Sequence, residues 1–358
     1  GPGAIFWMWV SAFFGMSTIY AEATLAQQYK VQKDGEVTGG PVYYIRAAFK
    51  GTFGKALAAI FAILIILALG FTGNMVQSNS IGAAFSEVFS ARNIEIPSIV
   101  FGLILAAVIG FIFLGGVNRL ASVVEKIVPI MAGIYIVGSL VLILMNITAL
   151  PEAIKMIFVG AFNPEAVVGA GAGIAVREAI RFGVARGLFS NEAGMGSTPH
   201  AHARAKVENP HKQGLAAMIS VFIDTFIILN LTVFSILTTG VLDSGKEGTA
   251  LTQAAFTKGF GNFGDIFVAV CLLVFAFSTI LGWHFFGEVN VKYLFGEKAA
   301  KFYSILVIGF VIVGSTLKVQ LVWSLSDFFN GLMVIPNAIA LWALSGIVVK
   351  ICKQYGKK

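Results

Sequence analysis

The run Gly187-Leu188-Phe189-Ser190-Asn191-Glu192-Ala193-Gly194-Met195-Gly196-Ser197-Thr198-Pro199-His200-Ala201-His202 decides how this chain is read. It gathers three glycines, a proline, a carboxylate, two histidines and several small hydroxyl and amide side chains in the middle of a very apolar sequence. Lipid offers nothing to unpaired N–H and C=O groups, so backbone broken by such residues has no place against it. It fits only where protein or a water-filled cavity supplies partners. One reading is therefore the broken part of a transmembrane helix lining a small-solute site. Its freed backbone groups, with Ser190 and Asn191, would bind the charged ends of a zwitterion, since half-helix N-termini attract carboxylates. The other reading is an ordinary cytoplasmic loop. It draws on His200, His202, Arg204 and Lys206, which read as solvated. Arg177, Glu178, Arg181 and Arg186 favour the broken helix, because they would otherwise be loose charges beside lipid.

The surrounding composition sets the class. Of 358 residues, 57% are hydrophobic and 12% charged, against about 25% charged in soluble domains. Apolar runs of about 20 residues suit helices that span a core roughly 30 Å thick. The ten-residue alternation of a β-barrel is not seen. Forty glycines fit close helix packing in lipid. The net charge of +7 lies in short loops, so it reads as an orientation signal and not as a nucleic-acid footprint. Cys271 lies in an apolar helix and Cys352 in the basic tail, which argues against a disulfide or a metal role.

Outward from the broken stretch, nine membrane helices are expected, at about 3–29, 55–86, 98–117, 121–146, 169–206, 213–238, 263–291, 301–317 and 321–349. The segments 30–53 and 239–262, and the stretch around Pro151 and Pro164, read as loops. With this count, 17 lysines and arginines fall on the side of the basic tail and 5 on the other, which puts the C-terminus in the cytoplasm and residue 1 outside. Helices two and seven echo each other: both are long and carry a small polar cluster, Phe71-Thr72-Gly73 in one and Phe277-Ser278-Thr279 in the other. Inverted repeats of this kind are common in transporters.

Several polar residues stand out at membrane depth. Glu22 lies in an otherwise apolar helix, and an intramembrane carboxylate is a functional candidate by default. It reads as a proton carrier or as a clamp on the N–H groups of a broken helix; a single carboxylate does not make a relay, which favours the clamp. Thr279 and Trp283 are four apart and share a helix face. The hydroxyls of Ser278 and Thr279 suit a hard monovalent cation, and Trp283 walls a small pocket; equally, the hydroxyls bond helix carbonyls and the indole anchors an interface. Asn74 and Gln77 share a face three apart, as cavity lining or as glue between helices. His200 and His202 diverge on a helix, so no zinc site is expected. No nucleophile, metal set or nucleotide fingerprint appears in a credible context, which argues against an enzyme. The polar residues converge on one region of an unsymmetric chain, which argues against an ion channel.

Gly-Leu-Phe-Ser-Asn-Glu-Ala-Gly-Met-Gly-Ser at 187–197, with His202, Gln213-Gly214-Leu215 and Val221-Phe222-Ile223-Asp224-Thr225, resembles the signature of the alanine/glycine:cation symporter family. The opening Gly1-Pro2-Gly3-Ala4-Ile5-Phe6-Trp7-Met8-Trp9, and Gly39-Gly40-Pro41 with Tyr43-Tyr44, resemble it too. The resemblance covers essentially the whole chain. It implies a leucine-transporter-like (LeuT-like) fold of two five-helix inverted repeats, all α, forming one domain over 1–358 with a partial first repeat at 1–146 and a second at 165–350. It implies sodium-coupled uptake of alanine or glycine by alternating access in a multi-pass protein of the cell membrane, with a small amino acid, Na+ and lipid as partners and no nucleic acid. A proton-coupled carrier of the same fold is the alternative. Residue by residue, it implies Na+ at Ser278 and Thr279, a substrate site with Trp283 as wall and Phe189, Ser190, Asn191, Asn74 and Gln77 around it, and Glu22 bracing the broken helix. The fold's first helix, with the family's Gly-Thr-Gly-Asn break, has no counterpart here, and the chain is expected to be part of a longer protein.

Overall fold

A computed structural model of the protein describes residues 1–33, 35–115, 117–162 and 172–356, with side chains placed for all of these except 114–127 and 172–175. Helix α1 (Gly3–Gln28) starts after Pro2 and ends at Tyr29. A hairpin of β1 (Val31–Lys33) and β2 (Glu36–Thr38) follows, paired Val31 to Thr38, with Gly35 at φ 82° supplying the left-handed turn residue. Then come α2 (Pro41–Ala48), α3 (Gly51–Ser90), α4 (Ser98–Gly115), α5 (Val117–Met145) and α6 (Leu150–Phe162). The broken segment is α7 (Ala172–Asn191) and the six-residue α8 (Pro199–Arg204). The remainder is α9 (Pro210–Thr239), α10 (Gly248–Phe260), α11 (Gly264–Phe295), α12 (Lys298–Thr316) and α13 (Val319–Tyr355).

Among the described residues seven helical stretches are long and apolar enough to cross a membrane: α1, α3, α5 from Val128, α9, α10 with α11, α12 and α13. Two of the nine expected spans fall outside that set. The apolar part of α4 within the described side chains, Ser98–Phe113, is short, and α7 carries Arg177, Glu178, Arg181 and Arg186 within its 20 residues. Three segments read as loops contain the helices α2, α6 and α10. Pro41 and Pro151 sit at the starts of α2 and α6, where the missing N–H costs nothing and the fixed φ favours a first turn. Pro164 and the start of the expected second repeat at 165 lie outside the described residues, as do the side chains of Arg119 and Lys126, two of the 17 counted on the side of the basic tail.

The outer surface is apolar: Trp342 is 86% exposed and Phe111 76%. Burial therefore brings little hydrophobic gain between helices in lipid, and close packing of small residues holds them instead. Gly70 of α3 and Gly287 of α11 both face the Tyr303 hydroxyl of α12; a Cβ would lie 2.5 Å and 1.9 Å from it. Gly3 meets Gly160 where α1 crosses α6. α1 packs on α9, α7, α6 and α8, while α3 packs on α11, α12 and α13. One core cluster, holding Tyr44, Phe61, Met195, Trp283 and Met333, joins the two groups beneath the broken segment. At the far end of α3, Arg92 binds both carboxylate oxygens of Asp265, at 2.7 and 3.1 Å, and the Asn262 carbonyl at 2.7 Å. The bonds to Asp265 push the Arg92 guanidinium further above its usual range.

Among the described residues two wide turns interrupt α geometry. Residues Ile66–Gly73 of α3 and Ile223–Leu229 of α9 are π-helical. Such turns are rare and recur near functional sites. The first holds the Thr72-Gly73 pair and the second holds Asp224, so both adjoin the polar residues described next.

Candidate functional site

The break after α7 is set by backbone handedness. Glu192, Gly194 and Gly196 all have positive φ, at 57°, 95° and 79°. Left-handed residues cannot continue a right-handed helix. The broken stretch is not solvated: Ala193, Met195 and Ser197 are buried. Its N–H groups therefore need internal partners. Glu22 of α1, fully buried, accepts from Gly194 N at 2.9 Å through one oxygen and from Gly196 N at 2.8 Å through the other. Asn337 of α13 donates to Glu22 at 2.6 Å and to the Gly194 carbonyl at 3.0 Å. The Tyr44 hydroxyl of α2 donates to Asn337 Oδ1. Asn191 Oδ1 accepts from Ala193 N at 3.1 Å. The break is thus held by α1, α2 and α13, and the two glycine N–H groups are committed to Glu22.

Beside the break lies a groove of about 420 Å³. Its walls are Glu192, Val128 and Pro129 of α5, and Ser278, Thr279, Gly282, Trp283 and Phe286 of α11. Ser278 and Thr279 both donate to the Phe275 carbonyl, at 2.8 and 2.9 Å. That commits their protons and leaves oxygen lone pairs for a donor or a cation. Glu192 accepts the Trp283 indole N–H at 2.7 Å and the Ser197 hydroxyl. Trp283 also meets Phe189 edge to face, ring centroids 5.2 Å apart, and its six-membered ring rests on Gly73 of α3, where a Cβ would lie 2.7 Å away. Phe189 in turn packs at a tilt on Trp323, ring centroids 4.6 Å apart, and Trp323 carries Arg186 4.0 Å above its ring. Arg186 grips Asp327 through two nitrogens, at 2.5 and 3.2 Å. A larger cavity of about 520 Å³ is walled by Ile81, Phe85, Phe101, Leu105 and Phe277. It offers a zwitterion almost no polar partner.

The residues singled out in the sequence divide accordingly. Phe189, Trp283, Ser278 and Thr279 come together at or against the groove. Ser190 and Asn191 turn toward α9: Ser190 donates to both oxygens of Asp224, at 3.0 and 2.8 Å, and Asn191 donates to Thr225 at 3.1 Å. Asn74 is buried just beyond the wide turn of α3, with its amide on the Gly70 carbonyl at 3.0 Å and its oxygen unpaired. Gln77 lies one turn beyond Gly73, on the face that Gly73 presents to Trp283. The histidines are a correction. His200 is buried, bonded to the Ser197 carbonyl at 2.7 Å and Asn290 at 2.8 Å, between Phe61 and Phe286. His202 bonds Gln213 at 2.7 Å. His200 is shut from solvent because Phe61 of α3 and Phe286 and Asn290 of α11 close over it, while His202 is only half-buried. The sequence reading gave no role to Glu192 or Asn337. Glu192 was visible as the one carboxylate inside the break; Asn337 was signalled only by a Pro-Asn pair in an apolar helix.

A model of the sodium:alanine symporter family matches residues 1–358. The amino-acid carrier protein AlsT of Bacillus subtilis is 42% identical over 359 residues, covering 100% of this chain and 74% of that protein. A probable sodium/glutamine symporter of the same organism, GlnT, is 41% identical, covering 100% and 73%. The sodium/alanine symporter AgcS of Methanococcus maripaludis is 40% identical, covering 100% and 78%.

Proposed function

The chain belongs to the sodium:alanine symporter family, a family of transporters and not enzymes, and we propose that it takes up small neutral amino acids, alanine and glycine, with sodium by alternating access. The observation that best supports this reading is the groove shared by Glu192, Ser278, Thr279 and Trp283. Carboxylate and hydroxyl oxygens are hard donors suited to a hard cation. A carboxylate at membrane depth is costly unless its charge is matched, and among the described residues the oxygens of Glu192 and Glu22 receive only neutral donors. A cation arriving with the substrate supplies the missing charge. This reading assigns sodium to Ser278 and Thr279 and the substrate to the groove walled by Trp283, with Phe189 backing the indole and Asn74 and Gln77 on the α3 side. With the N–H groups of Gly194 and Gly196 held by Glu22, the end of α7 at Ser190 and Asn191 offers carbonyls, whose partial negative charge suits the substrate ammonium.

In the LeuT-like arrangement proposed for the chain, α1 takes the place of the second helix, α7 and α8 of the sixth and α11 of the eighth, and the basic tail faces the cytoplasm of a multi-pass protein in the cell membrane. Proton coupling on the same fold is the second reading, favoured by the fully buried Glu22 and the half-buried Glu192 at the groove. Counterflow of labelled alanine in proteoliposomes separates them. Exchange that requires sodium at constant pH supports the first reading; exchange that ignores sodium and follows a pH gradient supports the second; the absence of any alanine exchange overturns both.

A further inference from the structure

The indole of Trp283 is held from three sides, and only one hold is polar. Gly73 lies flat behind the ring, and Phe189 meets it edge to face. The N–H end is taken by Glu192 at 2.7 Å. Glu192 is itself aimed by a left-handed backbone at φ 57°, and its second oxygen takes the Ser197 hydroxyl. A residue type that resists this conformation therefore stands in the break with both carboxylate oxygens occupied. One of them crosses from the broken segment to α11.

From this geometry we propose that Glu192 is a positioning residue of the substrate site: by holding the indole N–H it keeps Trp283 across the groove, and so sets the largest side chain the protein accepts. The inference rests on the reading of Trp283 as a wall of the substrate pocket. Without the bond, nothing polar fixes rotation of the indole about its side-chain torsions. The ring is then kept only by its apolar contacts with Gly73 and Phe189, and its turning about those torsions widens the groove. The carboxylate does this through hydrogen-bond acceptance, not through charge. Glutamine preserves it: the amide oxygen accepts from Trp283 and the amide nitrogen donates to Ser197.

The test compares uptake of labelled alanine and leucine by the protein in proteoliposomes. Glu192→Ala is expected to raise the leucine-to-alanine ratio of kcat/KM about tenfold, the low end of what pocket size controls. Glu192→Gln is expected to leave the ratio at its original value. Should Glu192→Ala fail to insert, Glu192→Asp, one methylene short of the indole, is expected to raise the ratio part of the way. In a Trp283→Ala background, Glu192→Gln and Glu192→Ala are expected to give the same ratio, because the residue they act through is gone. If Glu192→Gln shifts the ratio as far as Glu192→Ala, charge and not positioning is at work and the proposal is overturned. It is also overturned if neither Glu192→Ala nor Glu192→Asp shifts the ratio while Trp283→Ala does. If Trp283→Ala itself leaves the ratio unchanged, the assignment of Trp283 to the pocket wall falls first, and the role of Glu192 falls with it.

Discussion

Replacing Glu22 by alanine tests whether one carboxylate holds the break together. The substitution leaves the N–H groups of Gly194 and Gly196 and the amide of Asn337 without their acceptor in a buried region. At about 1–3 kcal/mol for each buried donor left unpaired, the two backbone groups alone set a loss of roughly 2–6 kcal/mol. With an unfolding entropy of about 2 cal/mol/K per residue, that is a fall in Tm of roughly 3–8 °C for a chain of this length. Glu22→Gln keeps one acceptor oxygen but turns an NH2 toward the other glycine N–H, so about half of the loss is expected. Thermal unfolding of the detergent-solubilised protein, followed by tryptophan fluorescence, reads both. Asn337→Ala removes part of the same network, so the double variant is expected to lose less than the sum of the singles. A Glu22→Ala variant that melts with the parent, or a Glu22→Gln variant less stable than Glu22→Ala, would refute the reasoning.

Further outcomes follow from the same geometry. Removing both hydroxyls, Ser278→Ala with Thr279→Ala, is expected to raise the sodium concentration needed for half-maximal uptake about tenfold or more, since bonds to charged groups carry about 1.5–3 kcal/mol; an unaltered sodium titration removes the site. Gly196→Ala is expected to destabilise strongly, because its φ of 79° is left-handed and a Cβ there would lie 2.8 Å from Phe61 and 2.9 Å from Pro41; a normal Tm would contradict the packing. Arg186→Lys keeps the charge but loses the two-point grip on Asp327 and the stack on Trp323. A stability loss of roughly 1–2 kcal/mol is expected from that change, read by thermal unfolding, because a lysine is no substitute at a forked, stacked site.

The break itself was legible in the sequence, because three glycines and a proline at membrane depth leave few alternatives. Glu22 was conspicuous for a similar reason, as an isolated carboxylate in an apolar helix. The shared face of Thr279 and Trp283 followed from their spacing. The aim of Glu192 was not legible, because a left-handed residue departs from the helical wheel on which such inferences rest. Ser190 shows the same limit at finer scale. It is one residue from Phe189, and that single step of about 100° carries its hydroxyl to Asp224 on α9. The histidines were misread by residue type. His200 is buried by Phe61, Phe286 and Asn290, and His202 is half-buried with a bond to Gln213, all residues from elsewhere in the chain. The short helices α2, α6 and α10 escaped because they lack a long apolar run. The wide turns left no mark in the residue pattern.

The wide turn at Ile66–Gly73 makes α3 two rods indexed separately. Before it, Phe61 and Ile65 look into the core beneath the break; after it, Met75 faces Gly314 and the helix runs on to Ser90, with Arg92 in the turn just beyond. A π turn carries a residue more than α geometry needs. Deleting one residue there would let the turn close to α geometry, leaving the helix unbroken and nearly as long, with everything beyond it on nearly the same face. Arg92 would still reach Asp265, and the residues now turned to α11 and α12 would keep their neighbours. A one-residue gap in this stretch between two relatives is therefore a change of length that leaves the partners in place, whereas the same gap in the regular turns on either side would exchange them.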